Sequence, residues 1–257
     1  MPKDWNPDLY LKYGNERIQP AIDLVSRIKV NNPDSIIDIG CGPGNSTELL
    51  IKRWPESNIC GMDNSPAMIE KAKKIFPERE WILMDAGNIR LDKKYDLIFS
   101  NAALQWIPQH DQLIKDLYNL CSDKGILAAQ LPLFWDMPLG KSISYLSKQE
   151  PWKKFMKDES YKLIIHDAGF YYDCLSGLFS SVEIWESNYV HIMESQESIL
   201  EMIKSTGLKP FLDQLKLEND KKKFEAEVLN EIRKDYPLQK NGKVLFPFRR
   251  IFFIAYK

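Results

Sequence analysis

No stretch of this 257-residue chain approaches the ~20 consecutive apolar residues that a membrane-spanning helix needs. Its opening, Met1-Pro2-Lys3-Asp4-Trp5, shows no apolar signal region, so export is not expected. The 4 cysteines, Cys41, Cys60, Cys121 and Cys174, are widely separated, without metal-ribbon or dithiol spacing. They are expected to be reduced thiols in a cytoplasmic protein, and no metal site is predicted. A dense basic tract is also missing. Lys and Arg number 35 against 36 Asp and Glu, for a net charge of −1. Lys221-Lys222-Lys223 is short and followed by acids, as on a solvated helix face. A nucleic-acid partner is therefore not expected. Histidine is scarce, with only His110, His166 and His191, and no general base is evident near a strand end. Internal repeats and low-complexity linkers are absent as well.

What is present begins with one heptapeptide, Asp38-Ile39-Gly40-Cys41-Gly42-Pro43-Gly44. It follows the apolar run Ser35-Ile36-Ile37 and precedes a helix-like stretch from Asn45 to Arg53. A strand, a glycine turn and a helix bring backbone amides close to a small ligand. A dinucleotide turn must accept a doubly charged pyrophosphate. Here Asp38 puts a fixed negative charge beside the turn, the third glycine comes one residue early, and Asn45 takes its place. A ligand with an ammonium and no phosphate fits better, and S-adenosylmethionine is such a ligand.

The order of elements agrees. Apolar segments at 35–39, 58–62, 79–84, 95–101 and 124–131 read as buried strands of a parallel sheet. Amphipathic stretches at 44–54, 65–76 and 110–122 read as the helices between them, the second with Asn64-Ser65 as cap and Pro66 in its first turn. This alternation predicts an open α/β sheet with ligands at the carboxyl ends of its strands. An acid closes each of the next two strands. Asp63, 19 positions after Gly44, could accept from both ribose hydroxyls. Asp85 could accept from an adenine amine. Either acid alone could equally be a turn former or a helix cap, but three acids at three successive strand ends favour the cofactor.

The fourth strand, Tyr95 to Asn101, continues into Ala102-Ala103-Leu104-Gln105-Trp106. Enzymes that methylate amino groups of DNA bases need Asn/Asp-Pro-Pro-Tyr/Phe here, which Ser100-Asn101-Ala102-Ala103 does not supply. Cytosine ring methylation needs a nucleophilic Cys, usually after Pro, and no Pro-Cys pair occurs. Trp106 could be core or a pocket wall. After about residue 132 the rhythm breaks. Aromatic-rich helical stretches run to about 178, a strand pattern from Val182 to Ile192, helical stretches from about 195 to 236, and a last strand from Val244 to Tyr256. Two further strands thus complete the five-stranded unit, with helical insertions that could form a lid.

Taken together, residues 8–135 resemble the class I S-adenosylmethionine methyltransferases. Closer similarity lies in Trp5-Asn6-Pro7-Asp8-Leu9-Tyr10-Leu11-Lys12-Tyr13, in Ser100 to Trp106, and in Trp185, Tyr189 and His191. It continues in Lys204-Ser205-Thr206-Gly207-Leu208-Lys209-Pro210-Phe211-Leu212 and Leu245-Phe246-Pro247-Phe248-Arg249-Arg250. These look like the trans-aconitate methyltransferases. One position departs, since Gln105 stands where many members have His. The Leu-Gln-Trp form also resembles enzymes that methylate a malonyl group on a carrier protein.

The resemblance implies a Rossmann-like seven-stranded sheet, mostly parallel with an antiparallel last strand, and helical insertions as a substrate lid. It divides the chain into a cofactor core at 1–137 and a substrate lobe at 138–257 within one integrated domain. It implies S-adenosylmethionine as cofactor, leaving as S-adenosylhomocysteine. The cofactor residues would be Asp38, Gly40, Gly42, Gly44, Asp63, Asn64, Asp85, Ala86 and Asn101, with Tyr13 and Arg17 from the N-terminal segment. The implied reaction forms a methyl ester on a small polycarboxylic acid, with a malonyl carrier protein or another small acid as the alternative. A carboxylate is ionised at pH 7 and needs no base, so catalysis rests on positioning alone. Arg249 and Arg250 are candidate anchors, pointing to opposite faces of one strand. Tyr189, His191, Trp106 and Lys204 complete the candidate substrate wall.

Overall fold

The computed structural model describes residues 14–156 and 163–257. The calls on the opening motif, Tyr10 and Tyr13 included, lie outside the described residues. The first described helix is α1, Gly14–Arg27.

Seven strands form one sheet in the order β3-β2-β1-β4-β5-β7-β6. They are β1 (Ser35–Ile39), β2 (Asn58–Asp63), β3 (Glu80–Leu83), β4 (Tyr95–Asn101), β5 (Cys121–Pro132), β6 (Ser181–Met193) and β7 (Val244–Tyr256). Strands β1 to β5 pair in parallel. β7 runs antiparallel to β5: Lys257 N–H donates to Gly125 O at 2.9 Å and Leu133 N–H donates to Arg249 O at 2.9 Å. Between the parallel strands lie α2 (Asn45–Arg53), α3 (Pro66–Ile75) and α4 (His110–Leu120). The later helices are α5 (Pro138–Ser147), α6 (Ala168–Ser176), α7 (Gln196–Lys204), α8 (Lys209–Gln214) and α9 (Glu218–Asp235).

The chain forms two compact units. One holds residues 14–131, His166–Glu186 and Ile251–Lys257. Its sheet centre is fully buried: Ile36, Ile37, Ile39, Leu97, Ile98 and Phe99 are all at 0% exposure, as near-continuous apolar strands covered on both faces should be. Ser65 caps α3 as its sequence predicts, its hydroxyl accepting from Met68 N–H at 3.2 Å with Pro66 following.

The other unit holds Pro132–Ile165, of which 157–162 are not described, and Ser187–Arg250. Here α9 packs against α5 and α7. The helical stretch read at 195–236 is three helices, interrupted at 205–208 and 215–217. At the first interruption Gly207 lies against the Phe134 ring, where a Cβ would overlap it. Trp152 and Phe224 meet edge to face at 5.1 Å between centroids. The Trp152 indole N–H donates to Glu227 at 2.6 Å, so its polar edge is satisfied inside this core. Among the described residues, no helix is long and apolar enough to cross a membrane.

Candidate functional site

The turn after β1 is built by left-handed glycines and by strand ends that hold it. Gly40, Gly42 and Gly44 have φ of 70°, 55° and 99°. At Gly40 two constraints coincide, because a Cβ there would overlap Ala103 beyond the end of β4. The N–H groups of Gly40 and Cys41 both donate to Met62 O, at 2.7 and 3.0 Å, which folds the turn onto the end of β2. Beneath it Cys41, Ile69, Ala72 and Trp81 form an apolar floor with Phe76. Burial pushes the Cys41 thiol well above its usual range, as befits a packing residue.

Asp38, next to last in β1, has no solvent exposure. One carboxylate oxygen, Oδ2, accepts from the hydroxyls of Ser46 and Thr47, both at 2.6 Å. The other, Oδ1, is buried with no hydrogen-bond partner among the described residues. Burial raises the carboxyl to about 6, against the lowering effect of the two hydroxyls, and the negative charge of Asp63 adds to the rise. A buried carboxylate with an open oxygen suits a cationic donor. Sequence reasoning missed Ser46 and Thr47. Their signal was two adjacent hydroxyls in the first turn of the helix that follows the acid.

Asp63, at the end of β2, is half-buried. Its Oδ2 accepts from Gly42 N–H and its Oδ1 from Ser65 N–H, both at 2.9 Å. It therefore ties the glycine turn to the start of α3. Asn64 beside it is exposed. Asp85 is exposed and caps the short 3₁₀ turn Ala86–Asn88, accepting from Gly87 N–H at 2.9 Å. Both acids thus do the local turn-forming and capping work that their sequence position allowed.

Past β4 the chain turns through Ala102, whose φ of 55° is unusual for a residue with a Cβ. Asn101 Oδ1 and Gln105 Oε1 are both buried without a hydrogen-bond partner among the described residues. With Asp38 Oδ1 they make three unmet acceptors in the segments that end β1 and β4. Those strands are sheet neighbours, paired from Ile36 with Leu97 to Asp38 with Phe99. Unmet acceptors call for a ligand rich in donors. S-adenosylmethionine, with its ammonium, amine and hydroxyls, is such a ligand, and these residues fit it. The turn is braced from behind. His110 Nε2 lies 3.0 Å from Leu104 O and its Nδ1 lies 2.8 Å from the Tyr171 hydroxyl. Trp106 on the same turn is half-buried. Arg17 falls in the first part of α1.

The candidate substrate residues lie in the other unit, except Trp106. Tyr189 and His191 share the half-buried face of β6, as their spacing predicts. Arg249 and Arg250 point to opposite faces of β7. Arg249 is exposed and pairs with Asp136 at 3.6 Å. Arg250 is 4% exposed, with its guanidinium 4.5 Å from the centroid of Phe248. The His191 ring lies 6.1 Å from that of Phe248 and 6.3 Å from that of Phe246. Arg250, Phe248 and His191 are thus brought together, and Arg249 is not. Lys204 ends α7 and pairs with Glu225 of α9 at 2.9 Å. No group of three or more metal-ligating side chains occurs among the described residues.

A methyltransferase domain family matches residues 10–175 of the chain. The trans-aconitate 2-methyltransferase of Escherichia coli O157:H7 (strain EC4115 / EHEC) is 39% identical over 254 residues, 98% of each chain. The chain belongs to this family. Another trans-aconitate 2-methyltransferase, from Enterobacter sp. (strain 638), is 38% identical over 252 residues, again 98% of each chain. Among solved structures, YcgJ of Bacillus subtilis superposes with a TM-score of 0.64 at 14% identity, over 92% of this chain and 97% of that one. Phosphoethanolamine N-methyltransferase 2 of Haemonchus contortus, solved with phosphomonomethylethanolamine and S-adenosylhomocysteine, gives 0.59 at 17% identity, over 98% of this chain and 56% of that one. These two likenesses show the fold alone, that of an α/β methyltransferase.

Proposed function

We propose that this protein uses S-adenosylmethionine to form a methyl ester on a carboxylate of trans-aconitate. The observation that carries this reading is the end-to-end match, at 39% identity over 98% of both chains, with trans-aconitate 2-methyltransferases. Nothing in the geometry favours a malonyl carrier protein instead.

The bound cofactor would supply an electrophilic methyl group on a sulfonium. The residues of this chain bind and align. Asp38, its open oxygen buried, holds the cofactor's ammonium. Gly40, Gly42 and Gly44 let the backbone approach the cofactor. Asp63 accepts from the ribose hydroxyls and Asp85 from the adenine amine, with Asn64 and Ala86 beside them, and Asn101, at the end of β4, lies beside the methionine part. Arg17 and Tyr13 belong to the same reading.

The acid is ionised at neutral pH, so its oxygen attacks without a base, and scarce histidines are no obstacle. Arg250 is the preferred anchor. A guanidinium can grip a carboxylate through two parallel hydrogen bonds, and burial against Phe248 strengthens that attraction. His191, Tyr189 and Trp106 belong to the same reading of the substrate site. Lys204 is secondary because Glu225 already engages it, and Arg249 because it is exposed. Alignment of this kind supplies ~7–11 kcal/mol of a barrier.

The test is incubation with methyl-labelled cofactor and trans-aconitate. A labelled product that is cleaved by mild base is expected. Intact cofactor binding without such a product would reject the substrate.

A further inference from the structure

Gln105 has the clearest unspent chemistry among the described residues. It is 4% exposed, on the 3₁₀ turn Leu104–Trp106 that follows β4. Its Nε2 donates to Ala102 O at 2.6 Å. That bond fixes the amide orientation, because the reverse would set two acceptors face to face. Oε1 is left buried and without a hydrogen-bond partner among the described residues. A buried acceptor without a donor is unfavourable, so the ligand is expected to bring one.

The substrate acid cannot be that donor, since its ionised carboxylates only accept. The cofactor has donors at three places: the ammonium, the ribose hydroxyls and the adenine amine. Sheet order separates them. The acids taken to hold ribose and adenine are Asp63, which ends β2, and Asp85, which follows β3, both on one side of β1. Gln105 follows β4, on the other side, and the neighbouring Ala103 abuts Gly40 of the glycine turn. The part of the cofactor on that side is its amino-acid tail, whose donor is the ammonium.

We propose that the side-chain oxygen of Gln105 accepts a hydrogen bond from the cofactor's ammonium, so that this residue selects for the intact amino-acid tail. The inference rests on the cofactor assignment above and is independent of which acid is methylated. An ammonium has three N–H donors, so Asp38 and Gln105 can both be served.

The test is calorimetric titration of the full-length protein with two ligands. One is S-adenosylhomocysteine. The other is its deaminated analogue, which keeps nucleoside, thioether and carboxylate. Gln105→Met retains the side chain's length and removes the acceptor. It should weaken S-adenosylhomocysteine about tenfold, the scale of one hydrogen bond to a charged group, and leave the analogue unchanged. Equal weakening of both ligands, or of neither, would overturn the proposal. Gln105→Asn provides a second arm should the methionine variant not fold. The shorter amide keeps both hydrogen-bonding groups but draws the acceptor back, so the preference for the ammonium-bearing ligand should narrow, and an unchanged preference would count against the proposal. Failure of trans-aconitate as a substrate leaves these outcomes untouched. A wild-type protein that binds neither ligand would overturn this inference and the cofactor assignment together.

Discussion

At the scale of single residues, Asp38 carries a pH signature. Its folded carboxyl sits at about 6, above the usual 3.8, because burial disfavours its charge. Between those values the folded state binds more protons than the unfolded one. Asp38 therefore lowers the stability of the ligand-free protein as pH rises from about 4 to about 6. A cationic tail favours the ionised form. Cofactor affinity should rise with pH up to about 6 and then level, and binding near that pH should release protons. Titrations in two buffers of different ionisation enthalpy measure that release, and Asp38→Asn should abolish it. Arg250 offers a second single-residue prediction. Arg250→Ala should raise KM for the acid at least tenfold or so, the scale of a lost charged hydrogen-bond pair, while Arg249→Ala changes it roughly twofold or less. Comparable KM values for the two variants would place the anchor elsewhere. The period of a strand made it legible that these arginines diverge. Which one turns inward was not, because that depends on Phe248 and Asp136, one two residues away and the other on a distant turn.

At the scale of elements, the strands and helices of the cofactor half were readable because each carries its own periodicity and punctuation. β1, β4 and β7 fall where their apolar runs predict, and α3 starts at its Ser-Pro signal. The brace behind the β4 turn was not readable. His110 opens α4 and Tyr171 lies on α6, 61 positions later, and only tertiary packing makes them partners. Leu104 O fixes the tautomer: Nε2 donates to it, and Nδ1 accepts from the Tyr171 hydroxyl. Burial lowers the pKa of His110, which keeps it neutral in this role. His110→Ala should loosen the turn that carries Gln105 and Trp106 and reduce kcat/KM about tenfold, with far-ultraviolet dichroism unchanged. Tyr171→Phe leaves one ring nitrogen unmet and should cost about 1 kcal/mol in chemical denaturation. The glycine turn is a sharper case. Gly40→Ala would add about 1–2 kcal/mol of left-handed strain and an overlap with Ala103. Both penalties fall on the same turn, so donor affinity should drop together with the denaturation midpoint.

At the scale of the whole molecule, chain order and spatial order part company. The sequence pattern expects two further strands after residue 137 to complete the sheet, within one integrated domain. In the structure the last strand lies inside the sheet, between β5 and β6. Residues Ile251 to Ala255 are all at 0% exposure, so they belong to the core of the unit that carries the glycine turn. Val244, Phe246, Phe248 and Arg250 are buried in the other unit. A sequence pattern marks β7 as a strand but does not reveal its place, because insertion between two earlier strands is a long-range choice. The consequence is that neither unit closes until the last residues of the chain are in position. Removing residues 244–257 would strip β5 and β6 of a shared partner, expose the ladder groups of two long strands, and delete buried aromatic side chains from both cores. The expected product shows no cooperative thermal transition and elutes as aggregate on size exclusion. Cleavage at 137 should likewise fail to release a stable cofactor-binding fragment. Recovery of a monomeric 1–137 fragment with a sharp melting transition and undiminished affinity for S-adenosylhomocysteine would refute the shared role of β7. It would mean that the first five strands hold the cofactor site on their own.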